Sequence, residues 1–167
     1  MRLTGRGNYF EDFTVGNTFE HSRGRTVMEQ ENTLFTHLTM NTSSAHFDKN
    51  VMRTYMDGRF RDRLVNGGVT LSIVIGLTSQ DISENGIADV GLTNVRMHAP
   101  VFPGDTLYAR SEILELAGAD RPDAGVVRYA FKGRNQDDAL VAEGERSVLV
   151  KRRSHWDAAD ESGPRRP

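Results

Sequence analysis

Two short stretches hold the residues whose types and spacing can do chemistry. Asn41-Thr42-Ser43-Ser44-Ala45-His46-Phe47-Asp48 sets a histidine in a polar, turn-prone segment, and Asn66-Gly67-Gly68-Val69-Thr70-Leu71 lies about twenty residues further along. An imidazole titrates near neutrality, so His46 can pass a proton to or from carbon or water at working pH. The paired glycines open an apolar helix, and the first backbone N–H groups of a helix have no partner within it and carry partial positive charge. These are the parts of a site that moves a proton beside a carbonyl whose oxygen is gaining negative charge.

Other candidates stand nearby. Asn41 is an amide and cannot take up a proton as a carboxylate does, but it can orient water or a carbonyl by hydrogen bonds. Its plainer role is to end a helix. Arg59, Arg61 and Arg63 form an alternating basic run just before the apolar helix, partly neutralised by Asp57 and Asp62. Such runs are usually solvated, yet the planar guanidinium fork reads carboxylates and phosphates, and Arg63 is expected nearest the site. His21, His37, His98 and His155 show no two-histidine metal spacing, and the sequence holds no HExxH, no Gly-x-Gly-x-x-Gly, no phosphate-loop lysine and no Gly-x-Ser-x-Gly elbow. No metal and no separate cofactor is expected.

Bulk properties bound the answer. A chain of 167 residues makes one ordinary domain with a real core. Hydrophobic residues at 37% and charged ones at 26% describe a soluble globular chain, and a net charge of −2 argues against nucleic acid as the main partner. The chain has no cysteine, which removes disulfides, thiolate metal sites and cysteine nucleophiles and suits the cytosol. The first residues never reach an apolar run of signal-peptide type. The longest apolar stretch, Val69 to Leu77, is interrupted by Thr70, Ser72 and Gly76 and falls far short of the roughly 20 residues of a membrane span. No membrane partner is expected, and a cytoplasmic location is.

Several elements must position these residues. Val15-Gly16-Asn17 turns into a first strand at Thr18–Ser22, and Thr26 can cap a helix from Val27 to Met40 with Leu34, Phe35 and Leu38 on its apolar face. Asp48 can cap a shorter helix over 49–56. Residues 67–82 place Val69, Leu71, Ile73, Val74, Ile75 and Leu77 in nearly every direction, so that helix should be buried on most sides. Four strands come after it, near 90–95, 106–116, 126–132 and 140–150, separated by turns such as Pro103-Gly104-Asp105 and Asn135-Gln136-Asp137-Asp138. The class is α+β, with an antiparallel sheet wrapped around a long central helix. Residues 1–153 form a single domain. Residues 154–167 read as a polar, disordered tail in which Trp156 alone could dock.

The chain resembles the MaoC-like (R)-specific enoyl-CoA hydratases. His46 matches the histidine of that signature, Gly67 the glycine whose N–H binds the thioester oxygen, and Pro100-Val101-Phe102-Pro103-Gly104-Asp105-Thr106-Leu107 the family's strand-turn-strand element. The resemblance implies a hot-dog fold, a homodimer or an assembly of dimers, and water addition to an acyl thioester carried by coenzyme A or an acyl-carrier protein. The chain departs from the pattern at Asn41, where an aspartate usually stands, at Ser43 and Ser44, which replace Asn-Pro, and at Asn66 and Gly68, where many relatives have His and Met. A longer side chain at position 68 would fill space expected to stay open here. Thr39-Met40-Asn41-Thr42 is similar to the mesaconyl-CoA and itaconyl-CoA hydratase branch, which implies a branched dicarboxylic substrate. Without the aspartate, another thioester reaction such as hydrolysis, or a non-catalytic binding subunit, stays open.

Overall fold

A computed structural model describes residues 8–60 and 62–160. Strands β1 (Thr18–Glu20) and β2 (Arg25–Thr26) precede helix α1 (Glu29–Leu38), and after a stretch of short turns comes α2 (Gly67–Ile82). Strands β3 (Gly86–Met97), β4 (Thr106–Gly118), β5 (Ala124–Arg134) and β6 (Leu140–Lys151) come next, and then helix α3 (Arg153–Asp160). The sheet runs β1-β4-β5-β6-β3, with β2 also on β4, and every pairing is antiparallel. It wraps α2 in the hot-dog arrangement.

Alternation builds the concave face. Leu107, Ala109, Ser111 and Ile113 of β4 and Val127, Tyr129, Phe131 and Gly133 of β5 are buried, while Tyr108, Arg110, Glu112, Lys132 and Arg134 point outward. Val74 of α2 is fully buried against this face, and a side chain on Gly133 would collide with it. The helix lies that close because position 133 has no Cβ. Ser72 and Gly76 of α2 face away from the sheet and are exposed.

Four expectations need correction. Thr26 does not cap α1. It pairs in β2, with its hydroxyl 2.7 Å from that of Thr106, and the Glu31 side chain caps α1 by accepting from the Met28 N–H at 2.8 Å. The buried face of α1 is polar: Asn32 and Thr36 are 1% and 0% exposed, whereas Leu34 and Leu38 stand 59% and 74% exposed. Of the expected apolar stripe only Phe35 packs against the core. The cause is the partner, since α1 lies on loop backbone that needs hydrogen bonds and not on an apolar surface.

Asp48 does cap, accepting from the N–H groups of Asn50 and Val51 at 2.9 and 3.3 Å. The segment it opens is a pair of 3₁₀ turns, Val51–Arg53 and Tyr55–Gly58, and no α-helix. Met56 and Asp57 have φ of 45° and 58°, a left-handed conformation that an α-helix cannot pass through. At the far end, the segment expected to be a disordered tail begins as α3. Trp156 docks there, donating to the Asp123 carbonyl at 3.1 Å under the Lys151 ammonium. Residues 161–167 lie outside the described residues.

Candidate active site

The end of α1 delivers the first segment. Met40 takes a left-handed φ of 54°, and the Asn41 N–H returns to the Thr36 carbonyl at 2.9 Å, which turns the chain sharply off the helix. The Asn41 side-chain oxygen then accepts from the Ser43 N–H at 2.9 Å, closing an Asx turn. A 3₁₀ turn over Ser44–His46 comes next. Ser43 and Ser44 contribute backbone here: their carbonyls accept from His46 and from Phe47 and Asp48 at 2.8–3.1 Å. The Asn41 Oδ1 is thus held by its own turn, and the side chain makes no hydrogen bond to His46 among the described residues.

His46 is half-buried, and its Nδ1 lies 2.9 Å from the Leu64 carbonyl oxygen. A carbonyl only accepts, so Nδ1 carries a hydrogen, and in the neutral ring the lone pair falls on Nε2. Nε2 has no partner among the described residues. The ring is thus held in the tautomer of a general base.

The second segment runs beside the first, with the Leu64 N–H on the Ala45 carbonyl at 2.9 Å and the Val65 N–H on that of Val101 at 2.8 Å. Asn66 caps α2. Its side-chain oxygen accepts from the Gly68 N–H at 2.8 Å, and its carbonyl accepts from Val69 and Thr70 at 2.9 and 3.2 Å. Of the first-turn amides, that of Gly67 alone has no acceptor among the described residues. Met97, at the end of β3, lies beside it, 3.7 Å from where a Cβ would stand. A donor with partial positive charge and no partner is what an enolate oxygen needs.

Gly68 is a correction. The space beside it is filled: a Cβ at 68 would stand 2.9 Å from the Phe35 ring. Arg63 is buried, and its Nη2 pairs with the Glu29 carboxylate, with Asp62 3.8 Å from Nε. Its Nε has no hydrogen-bond acceptor among the described residues. The cationic end thus faces acids of its own chain. Arg59 lies over the Phe60 ring, and Arg61 is outside the described residues. A hollow of about 540 Å³ between Tyr108, Arg110 and Arg134 on the outer face of the sheet is lined by none of these site residues.

Asn32, and the contact of Phe35 with Gly68, were not evident from the sequence. Asn32 Nδ2 donates to the carbonyls of His46 and Leu64, and its Oδ1 accepts from the Asn66 N–H. The one signal in the sequence was an asparagine, a poor helix former, inside α1 on the side its neighbours bury.

The family model for mesaconyl-CoA hydratase matches residues 2–164. The chain belongs to this family. Among the family's relatives, β-methylmalyl-CoA dehydratase of Chloroflexus aurantiacus is 35% identical over 90% of this chain and 42% of its own length. Mesaconyl-CoA hydratase of Cereibacter sphaeroides is 32% identical over 90% of this chain and 43% of its own. The chain therefore spans less than half the length of these two relatives. A Mycobacterium tuberculosis protein with a double hot-dog fold superposes with a TM-score of 0.78 at 22% identity, covering 90% of this chain and 46% of that one, which bears on the fold alone.

Proposed function

We propose that this protein is an enoyl-thioester hydratase that adds water reversibly across the double bond of an acyl-CoA, with branched dicarboxylic acyl groups as the preferred class. The observation that carries this reading is the pairing of an imidazole locked through Nδ1 with a helix-start N–H left without an acceptor among the described residues. His46 Nε2 takes a proton from water as the water oxygen bonds to carbon 3 of the enoyl thioester. The electron pair of the double bond moves toward the thioester carbonyl, and the Gly67 N–H holds the enolate oxygen that forms. His46 then gives the proton to carbon 2. The same steps in reverse remove water.

Family membership and the names of relatives that hydrate or dehydrate CoA thioesters support the reaction class. The chemistry needs a base and an oxyanion donor, and coenzyme A or an acyl carrier enters only as part of the substrate. Asn41 in place of a carboxylate favours a second reading, in which the fold holds an acyl thioester for another reaction or for binding alone.

We place the protein in the cytoplasm, in keeping with the absence of cysteine. No helix among the described residues is long and apolar enough to cross a membrane. The working unit is a pair of hot-dog chains, supported by the bare edge at β3 and by relatives about twice as long. The deciding experiment is a panel of mesaconyl-, itaconyl- and crotonyl-CoA followed at the absorbance of the conjugated thioester. Loss of absorbance without thiol release marks hydration. Thiol release marks hydrolysis, and silence with retained CoA binding marks a binding subunit.

A further inference from the structure

The geometry points to Asn32 as the positioning residue that sets the base and the oxyanion donor relative to each other; this rests on the hydratase reading of the site. Asn32 sits within α1 with 1% of its surface exposed and belongs to neither segment that carries the chemistry. Its Nδ2 donates to the His46 carbonyl at 2.8 Å and the Leu64 carbonyl at 3.2 Å. Its Oδ1 accepts from the Asn66 N–H at 2.8 Å. Both amide hydrogens and the amide oxygen are therefore spent on three backbone groups: that of the base, that of the residue orienting the base, and that of the cap next to Gly67.

The Leu64 carbonyl shows why this matters to the reaction. It accepts from Asn32 Nδ2 and from His46 Nδ1, so both of its lone pairs are occupied. Asn32 holds that oxygen in the orientation that fixes the His46 tautomer, and through Asn66 it also holds the start of α2. Only an uncharged amide serves. An aspartate of the same shape keeps the acceptor for Asn66 but faces two carbonyl oxygens with no hydrogen to give. A leucine supplies neither: it leaves the His46 carbonyl and the Asn66 N–H without their partner and the Leu64 carbonyl with His46 Nδ1 alone.

Thr36 provides the control. It is equally buried one turn further along α1, and its hydroxyl bonds only to the Asn32 carbonyl within the helix. Thr36→Val removes a buried hydrogen bond without touching either segment. A merely structural Asn32 would respond as Thr36 does.

The experiment compares Asn32→Asp, Asn32→Leu and Thr36→Val for kcat and KM on the enoyl-CoA hydrated best, with ¹⁵N NMR of the His46 imidazole. The expected result is a kcat loss approaching the roughly hundredfold that a misplaced reacting group costs, little change in KM, and loss of the Nδ1–H tautomer in the two Asn32 variants only. Folded Asn32 variants that keep kcat within twofold and the Nδ1–H tautomer would overturn the proposal. Unfolding of both would leave the wild-type spectrum to decide: the Asn32 side-chain amide hydrogens must exchange slowly and show coupling across hydrogen bonds to two carbonyls, and fast exchange overturns it. The imidazole and amide spectra need no turnover. A wild type inert on every enoyl-CoA would thus end the hydratase reading while the geometry of Asn32 is still tested.

Discussion

The Leu64 carbonyl oxygen stands 2.9 Å from Nδ1 of His46, and this contact leaves Nε2 as the basic nitrogen. His46→Ala should lower turnover at least the roughly hundredfold typical of a lost general acid–base group. The residue is only half-buried, so the fold should survive. Initial rates on crotonyl- and mesaconyl-CoA check this, and near-normal turnover would make His46 structural.

The Gly67 N–H can be deleted with little else. Asn66 has ψ of 134°, an extended conformation that a following proline accepts, and proline is tolerated at a first helical position. Gly67→Pro should abolish most turnover with an unchanged circular dichroism spectrum. Gly67→Ala keeps the N–H, and its Cβ would meet Met97 at an ordinary 3.7 Å, so it should stay active. Equal activity in the two would place the oxyanion donor elsewhere.

Phe35 and Gly68 should be energetically coupled. Gly68→Ala pushes a Cβ to 2.9 Å from the Phe35 ring and should cost about 1 kcal/mol or more by overpacking. Phe35→Leu should relieve that cost, leaving a non-additive double-mutant cycle in urea unfolding. Additive effects would mean that the ring moves away freely.

The free edge of β3 should be covered in solution. Every residue of β3 except Gly91 is exposed, Val90 by 58%, and a bare apolar edge invites pairing. Light scattering at micromolar concentration should find at least two copies, and Leu92→Lys should separate them. A fully active wild-type monomer would remove the pairing.

Asn41→Asp tests the residue that departs from the resemblance. If the wild type hydrates enoyl-CoAs, Asn41→Ala should cut turnover strongly, whereas Asn41→Asp should keep or raise the rate on crotonyl-CoA. If the wild type is inert, Asn41→Asp should awaken hydration by returning a second proton-transfer group. Assays of the wild type and the aspartate variant separate the two cases.

The strands and α2 are legible in the sequence because alternation, Gly-Asp turns and a nearly all-apolar helix each carry their own period. α1 misleads for a physical reason. Its periodicity points Leu34 and Leu38 inward, but its real partner is the backbone around His46, Leu64 and Asn66, which Asn32 satisfies. Nothing local marks Met56 as left-handed, so the turns before Asp57-Gly58 look like a helix in sequence. His46, Asn66 and Gly67 stand out by residue type and resemblance, and the structure brings their segments together. Asn32 and the contact of Phe35 with Gly68 escape because their partners lie far along the chain, a pairing that no single-sequence period encodes.

The Asx turn at Asn41 uses one oxygen, Oδ1, and an aspartate has the same oxygen in the same place. Codons for asparagine and aspartate differ at a single base. A point mutation can therefore exchange a neutral for a titrating group on the segment that leads to His46 while the turn that carries it keeps its shape. Position 41 is a place where a lineage can change its chemistry without first changing its backbone.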